Sequence, residues 1–268
     1  MKIHCLQVNS DLAESPENRL GRILGKLELV DSDTDLLVLP EHWISGAFND
    51  FSELGQCIKL YQDFISNAIE ISKRKNMHII SGSGLVIDLK GVVRNTLHLL
   101  SPTNESILSY SKIHPFTQEL GNVSGGEEIL TCEVSEMRVS TAICYDLRFP
   151  EIFRQPANIG SELFVVVAAW PVSRIETWKH LLRARAIENQ AFVVGINGTG
   201  VQDSATLGGY SMVVGPSGEV LALLEELEGE IRFNLDPKMV ISHRKDFHYL
   251  DDVKLLAGIN SKSDKKLI

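Results

Sequence analysis

The feature that most limits how this chain can fold is a recurrence of short apolar runs. Alternating or continuous β-branched segments appear at 2–8 (KIHCLQV), 35–40 (DLLVLP), 77–87, 92–100, 106–112, 137–144, 163–169, 191–197, 210–215, 219–224 and 230–235. Their length and period are those of β-strands. Helical stretches separate several of them: 15–30; 58–76, where Ile58, Tyr61, Ile65 and Ile69 share one stripe; 149–159; and 174–190, with Trp178, Leu181, Leu182 and Ile187. Helices interleaved with strands predict layered α/β packing. The strands within 77–112 and 210–235 follow one another without helices, across the turn signals DLKG, SPTNE and GPSG. The sheets are therefore expected to be mixed, with antiparallel hairpins. More than ten strands exceed what one twisted open sheet usually holds, so the expected fold is an α/β, four-layer αββα sandwich with two facing mixed β-sheets.

Length and composition fit that size. A chain of 268 residues, 44% hydrophobic, can bury one large core. It shows no repeat or linker, so a single domain over 1–268 is expected, with the polar end SKSDKKLI marking a solvated tail from about 256 to 268. The formal charge is −9, and Lys and Arg are scattered, which leaves no footprint for nucleic acid or an anionic membrane. A small molecule is the expected partner. The N-terminus MKIHCLQVNS lacks an apolar h-region, and the longest apolar run, LFVVVAAW at 163–170, is far short of the roughly 20 residues of a membrane span. A soluble, cytoplasmic protein is the expectation. Cys5, Cys57, Cys132 and Cys144 are too widely and irregularly spaced for a disulfide framework or a zinc knuckle, and read as free thiols.

Three strand-like runs end in a reactive group: DLLVLPEHW in Glu41, SILSYSKIHPF in Lys112 and MRVSTAICYD in Cys144. Ligands of open α/β sheets gather at the carboxyl ends of strands. A thiol of pKa ~8.5 is mostly protonated at neutral pH and needs a base or a nearby cation to become a nucleophile. Glu41 could be that base and Lys112 the cation. Lys112 and the backbone N–H of Tyr145 could hold the negative charge that develops on a carbonyl oxygen under attack. Each residue also has a structural reading: Cys144 as an inert buried thiol, Glu41 as a carboxylate at a helix N-terminus, Lys112 as a solvated strand-end charge. Spacing alone leaves both readings open.

The segments LPEHW, YSKIHPF, CYDLRFPEIFR, AAWP, WKHLLRARAIENQAFVVGIN and VVGPSGEVL resemble, in order and over nearly the whole chain, the nitrilase superfamily of carbon–nitrogen hydrolases, and within it the ω-amidase branch. The resemblance implies the αββα sandwich, a Glu–Lys–Cys triad falling on Glu41, Lys112 and Cys144, no cofactor, and a homodimer or higher homo-oligomer. It also implies a second glutamate after the lysine. Glu119 matches best and would orient Lys112, with Glu127 and Glu128 as competitors. In related hydrolases of carboxylate-bearing substrates an arginine just past the cysteine grips the carboxylate, a role that would fall on Arg148; the alternative is an ion pair with Asp146 or Glu151. Trp170 could wall the pocket or belong to the core. Arg183, Arg185 and Glu188 read as ties between their helix and its neighbours.

The chain departs from the branch at His42 and Trp43 and in the loop INGTGVQDSATLGGYS. These departures leave open which small amide, nitrile or carbamoyl compound is cleaved. A non-catalytic α/β binding protein is the reading from a different class. Neither SGSGLV nor GINGTG fits a dinucleotide or P-loop motif, no G-x-S-x-G elbow occurs, and the eight histidines lack metal-ligand spacing. No metal site is expected, and His114 reads as a hydrogen-bonding loop residue.

Overall fold

The computed structural model describes residues 1–47, 54–103, 108–117, 119 and 121–254. The expected tail at 256–268 lies outside these residues. Strands β1 (Lys2–Gln7), β2 (Leu36–Val38), β3 (His78–Ile87), β4 (Val93–Leu100) and β5 (Leu108–Ser111) belong to a first sheet. A second sheet takes β6 (Thr131–Val134), β7 (Met137–Ile143), β8 (Leu163–Ala168) and β9 (Phe192–Asn197). A two-stranded ribbon of β10 (Thr199–Val201) and β11 (Thr206–Gly208) follows, then β12 (Met212–Val214) and β13 (Val220–Leu223) in the second sheet and β14 (Gly229–Asn234) in the first. The orders are β14-β1-β2-β3-β4-β5 and β13-β12-β9-β8-β7-β6. In each, three parallel strands (β1, β2, β3 and β7, β8, β9) are flanked by antiparallel neighbours, so both sheets are mixed.

The period of two sorts side chains between layers. Leu36 and Val38 point into the core between the sheets, where Ile3, Cys5, Ile80 and Leu97 meet Val139, Val165, Val167, Val194 and Val213. Their neighbours Leu37 and Leu39 point outward, onto Leu20, Ile23 and Leu27 of α1 (Pro16–Leu29) and Phe64 and Ala68 of α2 (Leu54–Lys75). Across the molecule, Phe164, Val166 and Val193 are covered by Phe153 of α3 (Glu151–Asn158) and by Trp178 and Leu182 of α4 (Ile175–Asn189). Central strands buried on both faces explain the continuous apolar runs. Each fully buried side chain of this kind contributes roughly 1.5–3 kcal/mol. The layers are helices, sheet, sheet, helices: the expected αββα sandwich.

Several elements differ from the sequence expectation. Edge strand β6 is half exposed and carries Thr131 and Glu133, so it shows no apolar period. A fifth helix, α5 (Pro237–Asp246), is mostly polar; it starts on an Asp236 cap and sends Val240 into the core between the sheets. The run 210–235 is not one meander. β12 and β13 pair as a hairpin, but the chain then crosses to the other sheet, where β14 pairs with β1. Among the described residues no helix is long and apolar enough to cross a membrane.

Helix α4 lies close to β9 because residue 195 is glycine: a Cβ there would come within 2.4 Å of Leu182 Cδ1 and 2.8 Å of Trp178 Cζ2. Gly25, exposed on α1, has nothing within 4 Å of the same position. Gly195→Ala is therefore expected to destabilise by about 1–3 kcal/mol through overpacking. Gly25→Ala is expected to stabilise by about 0.5–1 kcal/mol through helix propensity. Urea denaturation of the two variants checks both signs.

Candidate active site

The site forms where three strands end. After β2, Leu39 and Pro40 lead to Glu41, which makes a single parallel bridge to Ser83, and the His42 N–H donates to Ser83 O at 2.8 Å. This crossing requires Gly82, whose φ is +67° and where a Cβ would lie 2.0 Å from Pro40 O. Lys112 follows β5 directly, and its N–H donates to Asn95 O at 2.9 Å, fixing it beside β4. Cys144 follows β7 and opens the 3₁₀ turn Cys144–Arg148. Its φ of +48° is left-handed, a strained conformation for a residue with a Cβ that holds only where its surroundings impose it.

The first sheet supplies a buried ionic cluster. Lys112 Nζ donates to Glu41 Oε1 at 2.9 Å and to Glu119 Oε2 at 2.7 Å. These residues are only 2%, 3% and 4% exposed, respectively. The Phe116 N–H also donates to Glu119 Oε2, at 2.7 Å. Asn95 Nδ2 donates to Glu41 Oε1 at 2.9 Å and to Glu119 Oε1 at 2.7 Å, and lies 3.0 Å from His42 Nε2. Burial disfavours the Lys112 ammonium, but the acidic groups around it, Glu41 first, then Cys144 and Glu119, outweigh it and hold its pKa above that of an ordinary lysine. Burial likewise opposes the Glu119 carboxylate, and the ammonium overcomes it, holding that carboxyl well below the usual range. Glu119, not Glu127 or Glu128, reaches Lys112; the other two are exposed.

Cys144 Sγ meets this cluster from the second sheet, near enough to Glu41, Lys112 and the backbone of Ala169 for each to act on the thiol. Burial and the negative charge of Glu41 push the thiol well above its ordinary pKa against the opposing pull of Lys112. The resting sulfur is therefore protonated. Ligand atoms of Glu41, His42 and Glu119 lie within 4.8 Å of one another, close enough to hold a cation. The position between the two carboxylates is already taken by the Lys112 ammonium.

Asp146, two residues past the cysteine, ties the two halves of the site together. Its fully buried carboxylate accepts from Tyr110 Oη at 2.7 Å, from the His114 N–H at 2.9 Å and from the Ile143 N–H at 3.2 Å, and contacts His114 Nδ1 at 2.9 Å. Tyr110 and His114 bracket Lys112 in sequence, so one side chain of the cysteine turn fixes the strand end that carries the lysine. His114 is thus a hydrogen-bonding loop residue, and its ring stacks on Phe149 with centroids 3.5 Å apart. Arg185 holds the far end of the turn by donating to Leu147 O at 3.1 and 3.0 Å, and also pairs with Glu188; Arg183 donates to Gly218 O at 2.9 Å.

The opening above Cys144 is lined by Phe116, Tyr145, Arg148, Ala169, Trp170, Pro171 and Arg174. Trp170 serves as both wall and core: it is 3% exposed, and its Nε1–H donates to Cys144 O at 3.3 Å. Arg148 is exposed and makes no ion pair with Asp146 or Glu151; the Asp146 oxygens are filled by Tyr110, His114 and Ile143. Its guanidinium instead lies 4.9 Å from the Trp170 ring centre and 5.9 Å from that of Tyr145. Sequence reasoning did not single out Asn95 or Arg174. A lone asparagine in the run VVRNTLHLL was the available signal for the first.

Asp146→Ala would leave buried donors on three segments without their acceptor. It is expected to cost about 2–4 kcal/mol in urea denaturation. Because Glu119 binds its proton less readily folded than unfolded, its stabilisation is complete above about pH 4.3, the ordinary glutamate value, and is lost as the pH falls further. Urea midpoints measured from pH 7 to 3 should therefore drop more steeply for the native chain than for Glu119→Gln.

A model of the carbon-nitrogen hydrolase family matches residues 2–245. The chain is 35% identical to a 2-oxoglutaramate amidase of Paenarthrobacter nicotinovorans, an alignment covering 94% of this chain and 89% of that protein. It is 31% identical to a 2-oxoglutaramate amidase of Bacillus subtilis (strain 168), over 94% of this chain and 97% of that one. Among solved structures, XC1258 from Xanthomonas campestris, a CN-hydrolase superfamily protein with an arsenic adduct in its active site, superposes with a TM-score of 0.86 at 27% identity, covering 95% of this chain and 97% of that one. Two mixed sheets between helix layers, with three strand ends carrying a carboxylate, an ammonium and a thiol, agree with that match: this chain belongs to the carbon–nitrogen hydrolase family.

Proposed function

We propose that the chain is an ω-amidase, which hydrolyses the terminal amide of a short carboxylate-bearing acid, with 2-oxoglutaramate the leading substrate. The observation that carries the chemistry is the thiol of Cys144 beside Glu41, whose carboxylate also accepts from Lys112 at 2.9 Å. With its pKa raised, the sulfur does not rest as a thiolate, so it needs a base at the moment of attack. Glu41 takes the Sγ proton as sulfur adds to the amide carbon. The oxyanion that forms meets Lys112 Nζ and the Tyr145 N–H, a first-turn donor with no acceptor inside its own turn. Glu41 returns the proton to nitrogen, the C–N bond breaks, and ammonia leaves a thioester on Cys144. Glu41 then deprotonates a water that attacks the thioester, releasing the acid and restoring the thiol. Glu119 keeps Lys112 charged and aimed throughout.

Two further observations favour a carboxylate-bearing substrate. Arg148 lines the opening without a carboxylate partner among the described residues, and the relatives named above are 2-oxoglutaramate amidases. A nitrilase or an N-carbamoyl amino acid hydrolase would use the same triad, and the products distinguish them: ammonia from an amide, ammonia from a nitrile, or ammonia with carbon dioxide.

Ammonia release should be measured over ω-amides, nitriles and carbamoyl compounds. The native chain is expected to act on the ω-amides, and Cys144→Ala is expected to fall to background while keeping its urea midpoint. A Cys144→Ala chain retaining native turnover would refute the assignment. Arg148→Lys is expected to raise KM for a carboxylate-bearing amide by about tenfold or more, the loss of a charge-assisted contact, and to leave a neutral amide nearly unaffected. Equal effects on both would remove Arg148 from substrate binding.

A further inference from the structure

We propose that Arg174 is a second anion-reading guanidinium in the same opening, and that it selects 2-oxo acid amides over 2-amino acid amides. The inference rests on the ω-amidase reading and deepens it.

Arg174 lines the opening together with Cys144 and Arg148. The two arginines are held alike. The Arg148 guanidinium lies 4.9 Å from the Trp170 ring centre, and that of Arg174 lies 4.9 Å from the Phe116 ring centre. Packing on an aromatic wall fixes the plane of a guanidinium and leaves its N–H edges free. Among the described residues neither side chain forms an ion pair with a carboxylate.

Charge balance leads to the same conclusion. The deeper Lys112 ammonium is already neutralised by Glu41 and Glu119. In a chain of net charge −9, the opening above the thiol therefore takes its positive potential from the two arginines. Arg174 also stands where local structure does not favour it. It occupies the N-cap of α4 and makes no side-chain capping hydrogen bond, at the helix end whose dipole repels a cation and welcomes an anion. The neighbouring Glu176 does not offset this, since it is exposed and paired with Lys179 at 2.8 Å.

The substrate class follows from what two forks can accept. A carboxylate fills the edge of one guanidinium bidentately. A 2-oxo group beside it offers one more acceptor oxygen, which suits the second. An ammonium at the same carbon has donors and no acceptor, and two guanidiniums repel it.

Initial rates of ammonia release from 2-oxoglutaramate, glutaric acid monoamide and L-glutamine should be compared for the native chain, Arg174→Met and Arg174→Lys. Methionine keeps an apolar stem against Phe116, and lysine keeps the charge without the fork. Arg174→Met is expected to raise KM for 2-oxoglutaramate by about tenfold or more, far beyond any fall in kcat. The rise should be smaller for the monoamide, which lacks the 2-oxo group. The preference for 2-oxoglutaramate over glutamine should fall by about tenfold or more, with Arg174→Lys between native and Met. If Arg174→Met keeps its urea midpoint and the native preference, the assignment is overturned and the arginine is only a wall. If the native chain releases ammonia from none of the three, the ω-amidase reading fails and this inference fails with it, an outcome visible before any variant is made.

Discussion

The Lys112 ammonium touches Glu41 at 2.9 Å and Glu119 at 2.7 Å at a point where none of the three is more than 4% exposed, and the rest of the site is arranged around those contacts. An ammonium and two carboxylates out of water are tolerable only as a set with further hydrogen bonds, and removing one member of a buried pair costs on the order of 3–5 kcal/mol. Asn95 supplies such bonds to both carboxylates, and the Phe116 N–H supplies another to Glu119. The members come from β4 and from the loops after β2 and β5, so satisfying the charges also fixes how those segments sit.

The sulfur approaches from the other sheet, and the sandwich makes that meeting repeatable. Glu41 stands three residues after β2 of the first sheet and Cys144 directly after β7 of the second, and the charge of Glu41 acts on the thiol across the two. Asp146 then joins the cysteine turn to Tyr110 and His114 on either side of Lys112. The left-handed backbone at Cys144 is retained against its intrinsic preference because the turn is gripped by Asp146 within and by Arg185 at Leu147 O. The thiol at the head of that turn has its pKa raised by burial and by Glu41, the carboxylate that also accepts from the Lys112 ammonium, so sulfur, carboxylate and ammonium act on one another.

Much of this was legible in the sequence, and what was not has physical reasons. Strands buried on both faces write themselves as unbroken apolar runs, so the sandwich and the strand ends at Glu41, Lys112 and Cys144 could be read directly. The resemblance supplied Glu119, whose loop has no pattern of its own. Edge strand β6 and helix α5 escaped because half-exposed elements carry little apolar period. Turn residues mark where a chain reverses, not which sheet edge it joins next, so the crossing from β13 to β14 was hidden. Asn95 resembles any outward polar residue of a strand, and Arg174 resembles an ordinary arginine before a helix. Asp146, weighed only as a partner for Arg148, proved to tie the cysteine turn to the strand end that carries Lys112, through contacts more than 30 residues away.

The central claim is that the carbon–nitrogen bond is broken by sulfur attached to the acyl group. The most direct measurement is mass spectrometry of the chain acid-quenched during turnover of an ω-amide, followed by peptide mapping. The account predicts that the peptide bearing Cys144 gains the mass of the substrate less ammonia, and that Cys5, Cys57 and Cys132 stay unmodified. Ammonia accumulating while Cys144 never carries an acyl group would contradict it.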